Sequence, residues 1–378
     1  MTRTVLVAGG GTAGHVFPAI TVAREVTARA PDVEPVFVGV RDRLEARLVP
    51  EAGFPLHLIE ATAVPRGFSP ELARLPGSVR AGVRSCVALA RETSAVGAIT
   101  FGGYVSFPLD RAAAKLDLPL VVHEQNSVPG LANRVAGRWA DRVAVTFPGS
   151  SHRFPHPERC VVTGNPVRED VLALDRPTMR AAARERLGLA PDRPTLLVFG
   201  GSQGAQSINR AVVAAHPRWS SQDLQVLHAA GARDYPAAAR GWEVARTKVA
   251  GPHVKLMDFI EVMSDAYAAA DVVVCRAGAT SIAELTVLGI PAVLVPYPNA
   301  TADHQTHNAR ALERAGGAVV IPDDELDGPA LVAAAEPLLL DVERHAAVSR
   351  ASRAFGRPDA ARNVARLLLD LLDHRRPS

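Results

Sequence analysis

The chain has 378 residues, 48% of them hydrophobic and 21% charged, with a formal net charge of only +3. This is the profile of a soluble globular protein long enough for two domains, each able to bury its own core. So small a charge, with no basic stretch interleaved with aromatics, excludes a general nucleic-acid binder; Cys86, Cys160 and Cys275 are too few and too scattered for a disulfide framework or a metal site.

In chain order, the N-terminus runs straight into a strand, with no signal-peptide pattern, and no apolar stretch nears the roughly 20 residues of a spanning helix. A cytosolic location is therefore expected. The first strand leads into "VLVAGGGTAGHVFPA", where Gly9, Gly11 and Gly14 fit the dinucleotide pattern G-x-G-x-x-G. Glycines of this kind let a backbone approach an anion while the following helix points its free amides at it. The second strand, "PVFVGV", is followed by Arg41 and Asp42, so an NADP reading survives at this point.

Residues 64–92 mix Arg66, Arg74, Arg80, Arg84 and Arg91 with Phe68, Leu72, Leu75, Val79 and Val83. Such a pattern suits either attachment to anionic lipid or an ordinary helix covering a sheet. Further strands follow: "AITFGG", with the turn Phe101-Gly102-Gly103-Tyr104, then "PLVVHEQ" and "RVAVTF". A break falls at residues 162–177, with a turn at Gly164-Asn165-Pro166.

The pattern then restarts. "TLLVFGG" leads into a third glycine turn, Gly200 to Gly204, and "LQVLHAA", "VKLMDF", "DVVVCRAG" and "PAVLVPY" follow. These ten apolar, β-branched runs alternate with helical segments, which predicts parallel sheets covered on both faces by helices. The expected architecture is α/β: two Rossmann-like domains facing a cleft, residues 1–165 and 166–355. An amphipathic C-terminal helix in 356–378 would pack back on the first domain.

In "CRAGATSIAEL", Glu284 follows Ser281 at capping-box spacing. It therefore reads either as a cap or as a carboxylate on two ribose hydroxyls, beside a helix start that holds a diphosphate.

"GGGTAGHVFPA", "FGGYVSFP", "HEQNSVPGLANR", "GNPVR", "FGGSQGAQSIN", "FIEVM", "ADVVVCRAGATSIAEL" and "DHQTHNA" occur in an order and spacing that resemble the MurG family of bacterial N-acetylglucosaminyltransferases. The resemblance runs from about Val5 to the C-terminal helix. It implies a GT-B fold and inverting transfer of N-acetylglucosamine (GlcNAc) from UDP-GlcNAc to the muramoyl sugar of a lipid-linked acceptor, lipid I. It also implies a peripheral place on the cytoplasmic face of the cell membrane, on its anionic surface. Cell-wall synthesis and division proteins become candidate partners, and no cofactor is implied.

By the same resemblance the second domain holds the donor. Ser202 and Arg168 match donor contacts, and Ile260 matches a position whose backbone reads uracil. Ala279, Thr280, Ser281, Ile282 and Ala283 match the helix start at the diphosphate, Glu284 the ribose contact, and Gln305 a contact to the sugar hydroxyls, with Asn308 its neighbour. From the first domain, Thr12, Ala13 and Gly14 match positions that line the cleft, and Asn126 matches one near the GlcNAc. Ala13 stands where glycine is frequent in the family, which requires a negative φ there.

No D-x-D motif occupies a suitable strand end, so the departing UDP is expected to be held by helix amides and side chains without a metal. His15 is the candidate base, with binding of the acceptor pyrophosphate as its alternative role; His123 and Glu124 are the other candidates. Four other readings remain: a UDP-GlcNAc 2-epimerase, a natural-product glycosyltransferase, an NADP oxidoreductase from the first loop alone, and a nucleotide-sugar-binding module without catalysis.

Overall fold

The structure, a computed structural model, describes residues 2–60, 71–201, 204–219 and 223–374, with the backbone alone for 71–76. It divides into two compact units, Met1–Arg168 with Arg357–Ser378, and Glu169–Gly356.

The first unit runs β1 (Arg3–Ala8), α1 (Ala13–Arg29), β2 (Val33–Gly39), α2 (Leu44–Glu51), β3 (Leu56–Leu58), α3 (Glu71–Glu92), β4 (Gly97–Thr100), α4 (Ser106–Leu116), β5 (Leu120–Glu124), α5 (Leu131–Ala136), β6 (Arg142–Val145) and β7 (Cys160–Val162). The strands form one parallel sheet in the order β3-β2-β1-β4-β5-β6-β7. Side chains of a strand alternate between faces, which sorts the core into two layers. Val5, Val7, Ile99 and Val121 pack under α1 and α2, whereas Leu6, Ala8, Leu120 and Val122 pack under α3, α4 and α5.

The second unit runs α6 (Glu169–Leu172), α7 (Arg176–Arg186), β8 (Thr195–Phe199), α8 (Gln206–Ala215), β9 (Gln225–Ala229), α9 (Tyr235–Lys248), β10 (His253–Met257), α10 (Met263–Ala269), β11 (Val272–Cys275), α11 (Ala279–Leu288), β12 (Ala292–Leu294), α12 (His304–Arg314), β13 (Ala318–Val320), α13 (Gly328–Leu340) and α14 (Val342–Phe355). Its sheet is again parallel, in the order β10-β9-β8-β11-β12-β13. Leu196, Val198, Val272 and Val274 line the face that α8 and α13 cover, with Trp219 and Trp242 filling the layer.

Finally α15 (Ala360–His374) belongs to the first unit, where Val364, Ala365, Leu368 and Leu372 close the core beside α1.

All ten expected strands are present, and three more lie at sheet edges: β3, β7 and β13, each of three residues. Both sheets reverse their direction of winding once, between β1 and β4 and between β8 and β11. In open parallel sheets that switch point, at the carboxyl ends of the strands, is where ligands bind.

The expectation for residues 64–92 needs correcting in part. Val83 is buried in the core and Val79 is half-buried, while Arg80, Arg84 and Arg91 are exposed. The described half of α3 therefore turns its apolar residues to the sheet and a basic face to solvent. Arg66 and Phe68, and the side chains of Leu72, Arg74 and Leu75, lie outside the described residues. Among the described residues no helix is long and apolar enough to cross a membrane.

Candidate active site

At the first switch point the loops after β1 and β4 interlock. A Cβ on Gly103 would sit 2.4 Å from the Gly10 carbonyl oxygen, and Gly102 and Gly103 have φ of +86° and +83°. Glycine is required here both for the close approach and for the left-handed backbone. Ser106 Oγ, at the start of α4, donates to the carbonyls of Ala8 (3.2 Å) and Gly102 (2.7 Å), fastening the two strand ends together.

The opening loop differs from a plain phosphate cradle. Its Gly11 amide donates to the carboxylate of buried Glu45 at 3.0 Å. That negative charge is an unfavourable neighbour for a pyrophosphate at the same point, and it disfavours the NADP reading. The amides at the start of α1, at Ala13 and Gly14, lie in the first turn of the helix, whose N–H groups have no intrahelical partners and can meet an anion. Ala13 has no positive φ, so the methyl that replaces the usual glycine is accommodated.

His15 stands in the first turn of α1. Its Nδ1 lies 3.2 Å from the Gly10 carbonyl oxygen and 3.0 Å from Thr12 Oγ1. Protonated, Nδ1 donates to the Gly10 carbonyl; unprotonated, it accepts from the Thr12 hydroxyl, so the ring is held in place through Nδ1 in either tautomer. Nε2 faces the gap left by Gly102, where a Cβ would lie 3.3 Å from it and 3.3 Å from the Asn133 amide.

His123 and Glu124 are ill-placed as bases. His123 is fully buried and donates from Nε2 to the Gly164 carbonyl, and burial pushes its pKa down to about 4. Glu124 is buried too; burial raises its pKa, against bonds from the Asn126 and Gly130 amides and from the Asn126 and Asn133 side chains. The carboxylate thus shapes the loop that presents Asn126. Gln125 ties the same loop to the Phe101 carbonyl at 2.7 Å. Arg168 closes the unit, its guanidinium 5.4 Å from the Phe17 ring centroid on α1.

In the second unit, α11 begins at Ala279 with Gly278 as its N-cap and no side-chain cap. Thr280 and Ser281 lie inside the first turn, so the capping-box role for Glu284 is not realised. Glu284 is buried and accepts from Tyr267 Oη at 2.7 Å instead. Ala279, Ile282 and Glu284 are buried, while Thr280, Ser281 and Ala283 are half-buried, all at the carboxyl end of β11 beside the switch point.

Gln305, at the start of α12, accepts from the Tyr297 amide at 3.0 Å, which fixes its oxygen and leaves its NH₂ as the outward donor. Asn308 is fully buried and donates to the Ala277 carbonyl, so it braces α12 against the β11 loop. The Ile260 side chain is core, 6% exposed. Ser202 lies outside the described residues.

Sequence reasoning passed over Arg276. Its guanidinium donates to the carbonyls of Val295 and Pro296 and to Ser207 Oγ, pairs with Asp323, and stacks over Tyr297. One side chain thus joins the loops after β11, β12 and β13 to α8. Only its place right after the strand "VVVC" hinted at this, since its partners come from distant segments. Glu45 went unnoticed for the same reason.

Two parallel, Rossmann-like sheets with glycine-rich turns at both switch points are the architecture of the GT-B fold. Models of the glycosyltransferase family 28 N-terminal and C-terminal domains match residues 5–145 and 195–364. A UDP-N-acetylglucosamine–N-acetylmuramyl-(pentapeptide) pyrophosphoryl-undecaprenol N-acetylglucosamine transferase from a Nocardioides species is 43% identical over 97% of this chain and 98% of its own. The crystal structure of Acinetobacter baumannii MurG superposes with a TM-score of 0.77 at 27% identity, covering 97% of this chain and 99% of that one. A UDP-GlcNAc 2-epimerase from Neisseria meningitidis, at 11% identity and a TM-score of 0.71 over 98% and 100% of the two chains, shares the fold alone. The chain belongs to glycosyltransferase family 28 and, within it, to the MurG family.

Proposed function

We propose that the enzyme transfers GlcNAc from UDP-GlcNAc, with inversion, to the muramoyl sugar of undecaprenyl-pyrophosphoryl-MurNAc-pentapeptide, converting lipid I to lipid II in peptidoglycan synthesis. The observation that carries this reading is His15, held through Nδ1 by Gly10 and Thr12 in the first turn of α1, at the first switch point of a chain of this family.

In this mechanism Nε2 of His15 takes the proton of the acceptor hydroxyl as its oxygen attacks the anomeric carbon. The amides of Ala13 and Gly14 face the acceptor pyrophosphate, with Thr12 beside them, and Asn126 is near the GlcNAc. The second unit holds the donor: Glu284 accepts from the ribose hydroxyls, the backbone at Ile260 reads uracil, and Gln305 donates to the sugar. The first-turn amides of α11, from Ala279 to Ala283, stabilise the charge that develops on the departing diphosphate, helped by Ser202. Arg168 is a further donor contact. Transfer of labelled GlcNAc from UDP-GlcNAc to a lipid I analogue tests the reading; stabilisation by NADPH but not by UDP in a thermal-shift assay would overturn it.

The same reading puts the enzyme on the cytoplasmic face of the cell membrane. Support comes from a groove of about 520 Å³ between α3 and α4, ringed by Arg84, Arg91 and Lys115, which suits anionic headgroups. Neutralising these three residues should reduce co-sedimentation with phosphatidylglycerol vesicles. Unchanged binding would sink this assignment.

A further inference from the structure

Tyr267 belongs to none of the motifs that mark the donor side. It lies on α10, 1% exposed, with its ring 6.4 Å centroid to centroid from Phe199 at the end of β8. Its hydroxyl donates to Glu284 Oε2 at 2.7 Å, and Glu284 is itself only 5% exposed. Two arginines of α7 hold the carboxyl end of α10. Arg176 Nε donates to the Tyr267 carbonyl at 3.0 Å, and Arg184 Nε to the Ala269 carbonyl at 3.1 Å. The tyrosine ring is therefore fixed at both its backbone and its face before the hydroxyl reaches the carboxylate.

A glutamate has three side-chain torsions, and ordering them when a ligand binds carries an entropic cost. A buried hydroxyl on one carboxylate oxygen removes most of that freedom in advance and keeps the group oriented. We propose that Tyr267 is the positioning residue for Glu284, holding its carboxylate ready for the hydroxyls of the nucleotide ribose. This rests on the ribose role of Glu284. The bond from Tyr267 Oη at 2.7 Å fixes the position of Oε2 and with it the plane of the carboxylate.

Tyr267→Phe keeps the ring and removes only the hydroxyl. The readout is the affinity of the full-length variant for UDP against 2′-deoxy-UDP, measured calorimetrically on the same preparation, so that the ratio reports on folded protein alone. Wild type is expected to prefer UDP. Tyr267→Phe should lose about tenfold in UDP affinity and little in 2′-deoxy-UDP affinity, and so lose most of the preference. Glu284→Gln should lose the preference as well, and the double variant should be no worse than Glu284→Gln. Glu284→Asp, too short to keep the bond yet still charged, should resemble Tyr267→Phe. If Glu284→Gln keeps the preference for UDP, the ribose role of Glu284 falls. If Glu284→Gln loses it while Tyr267→Phe keeps it, the positioning role falls and the ribose role stands. Equal losses of UDP and 2′-deoxy-UDP affinity in Tyr267→Phe would show a merely structural tyrosine and overturn the proposal.

Discussion

His15 Nδ1 lies 3.2 Å from the carbonyl oxygen of Gly10, five residues earlier in the same turn. With Thr12 Oγ1 at 3.0 Å from the same nitrogen, this contact orients the ring through Nδ1 and leaves Nε2 as the nitrogen proposed to act on the acceptor. If Nε2 is the base, His15→Ala should lower kcat by roughly 10²- to 10⁴-fold with a small change in donor KM. A loss confined to acceptor KM would reassign His15 to binding.

Glu45 should prove as necessary to the loop as the glycines themselves. Its removal in Glu45→Ala takes the carboxylate partner from the half-buried Gly11 amide, at a cost of about 1 kcal/mol. Chemical denaturation should show that loss, and transfer activity should fall with it as the loop loses its shape. Full activity in a destabilised variant would separate Glu45 from the site.

Gly103→Ala tests the interlocked loops. The added methyl would meet the Gly10 carbonyl oxygen at 2.4 Å, on a backbone with φ of +83°. Backbone strain alone should cost about 1–3 kcal/mol, with the clash in addition. Gly130→Ala, where a Cβ would meet nothing within 4 Å, is the control and should leave stability nearly unchanged.

Acid sensitivity should come from two buried histidines. His228 accepts from Trp242 Nε1 at 3.0 Å and donates to Asn209 Oδ1 at 2.9 Å, so a second ring proton would face the indole donor. Burial lowers the pKa of both His123 and His228 to about 4, from 6.5. Below pH 6.5 the unfolded chain takes up protons that the native state refuses. The stability these groups hold above pH 6.5 is therefore lost as pH falls to about 4, by about 3 kcal/mol for each histidine. Urea titrations between pH 7.5 and 4.5 read this directly, and a flat profile would contradict it.

Asp110 acts in the opposite sense. Fully buried, with Thr100 donating to one oxygen, its carboxyl is raised by burial from 3.8 to about 7. The native state keeps that proton while the unfolded chain releases it, so the stability it contributes below pH 3.8 is lost as pH rises to about 7. Asp110→Asn removes this opposing slope. Its stability should rise more steeply with pH than that of wild type through the histidine range, and the two profiles should be parallel above pH 8.

Much of this protein could be read from its sequence. Continuous apolar runs such as "TLLVFGG" identify central strands because both their faces are buried, and strand–helix alternation then dictates parallel sheets. The edge strands β3, β7 and β13 escaped because three residues make no period of their own; they form only because a neighbouring strand offers hydrogen bonds. His15, Gly102, Gly103 and Glu284 were likewise legible, since their motifs are local. The partners that give them chemistry were not. Gly10 and His15 are five residues apart, but Glu45 reaches Gly11 across 34, Tyr267 meets Glu284 across 17, and Arg276 reaches Asp323 across 47. The sequence by itself determined the class of fold, the family and the glycine-rich loops at the strand ends, because these depend on composition, period and short-range backbone geometry. Which amide is already taken and which carboxylate is braced were decided only by tertiary packing, because such hydrogen bonds join segments that meet only when the chain has folded.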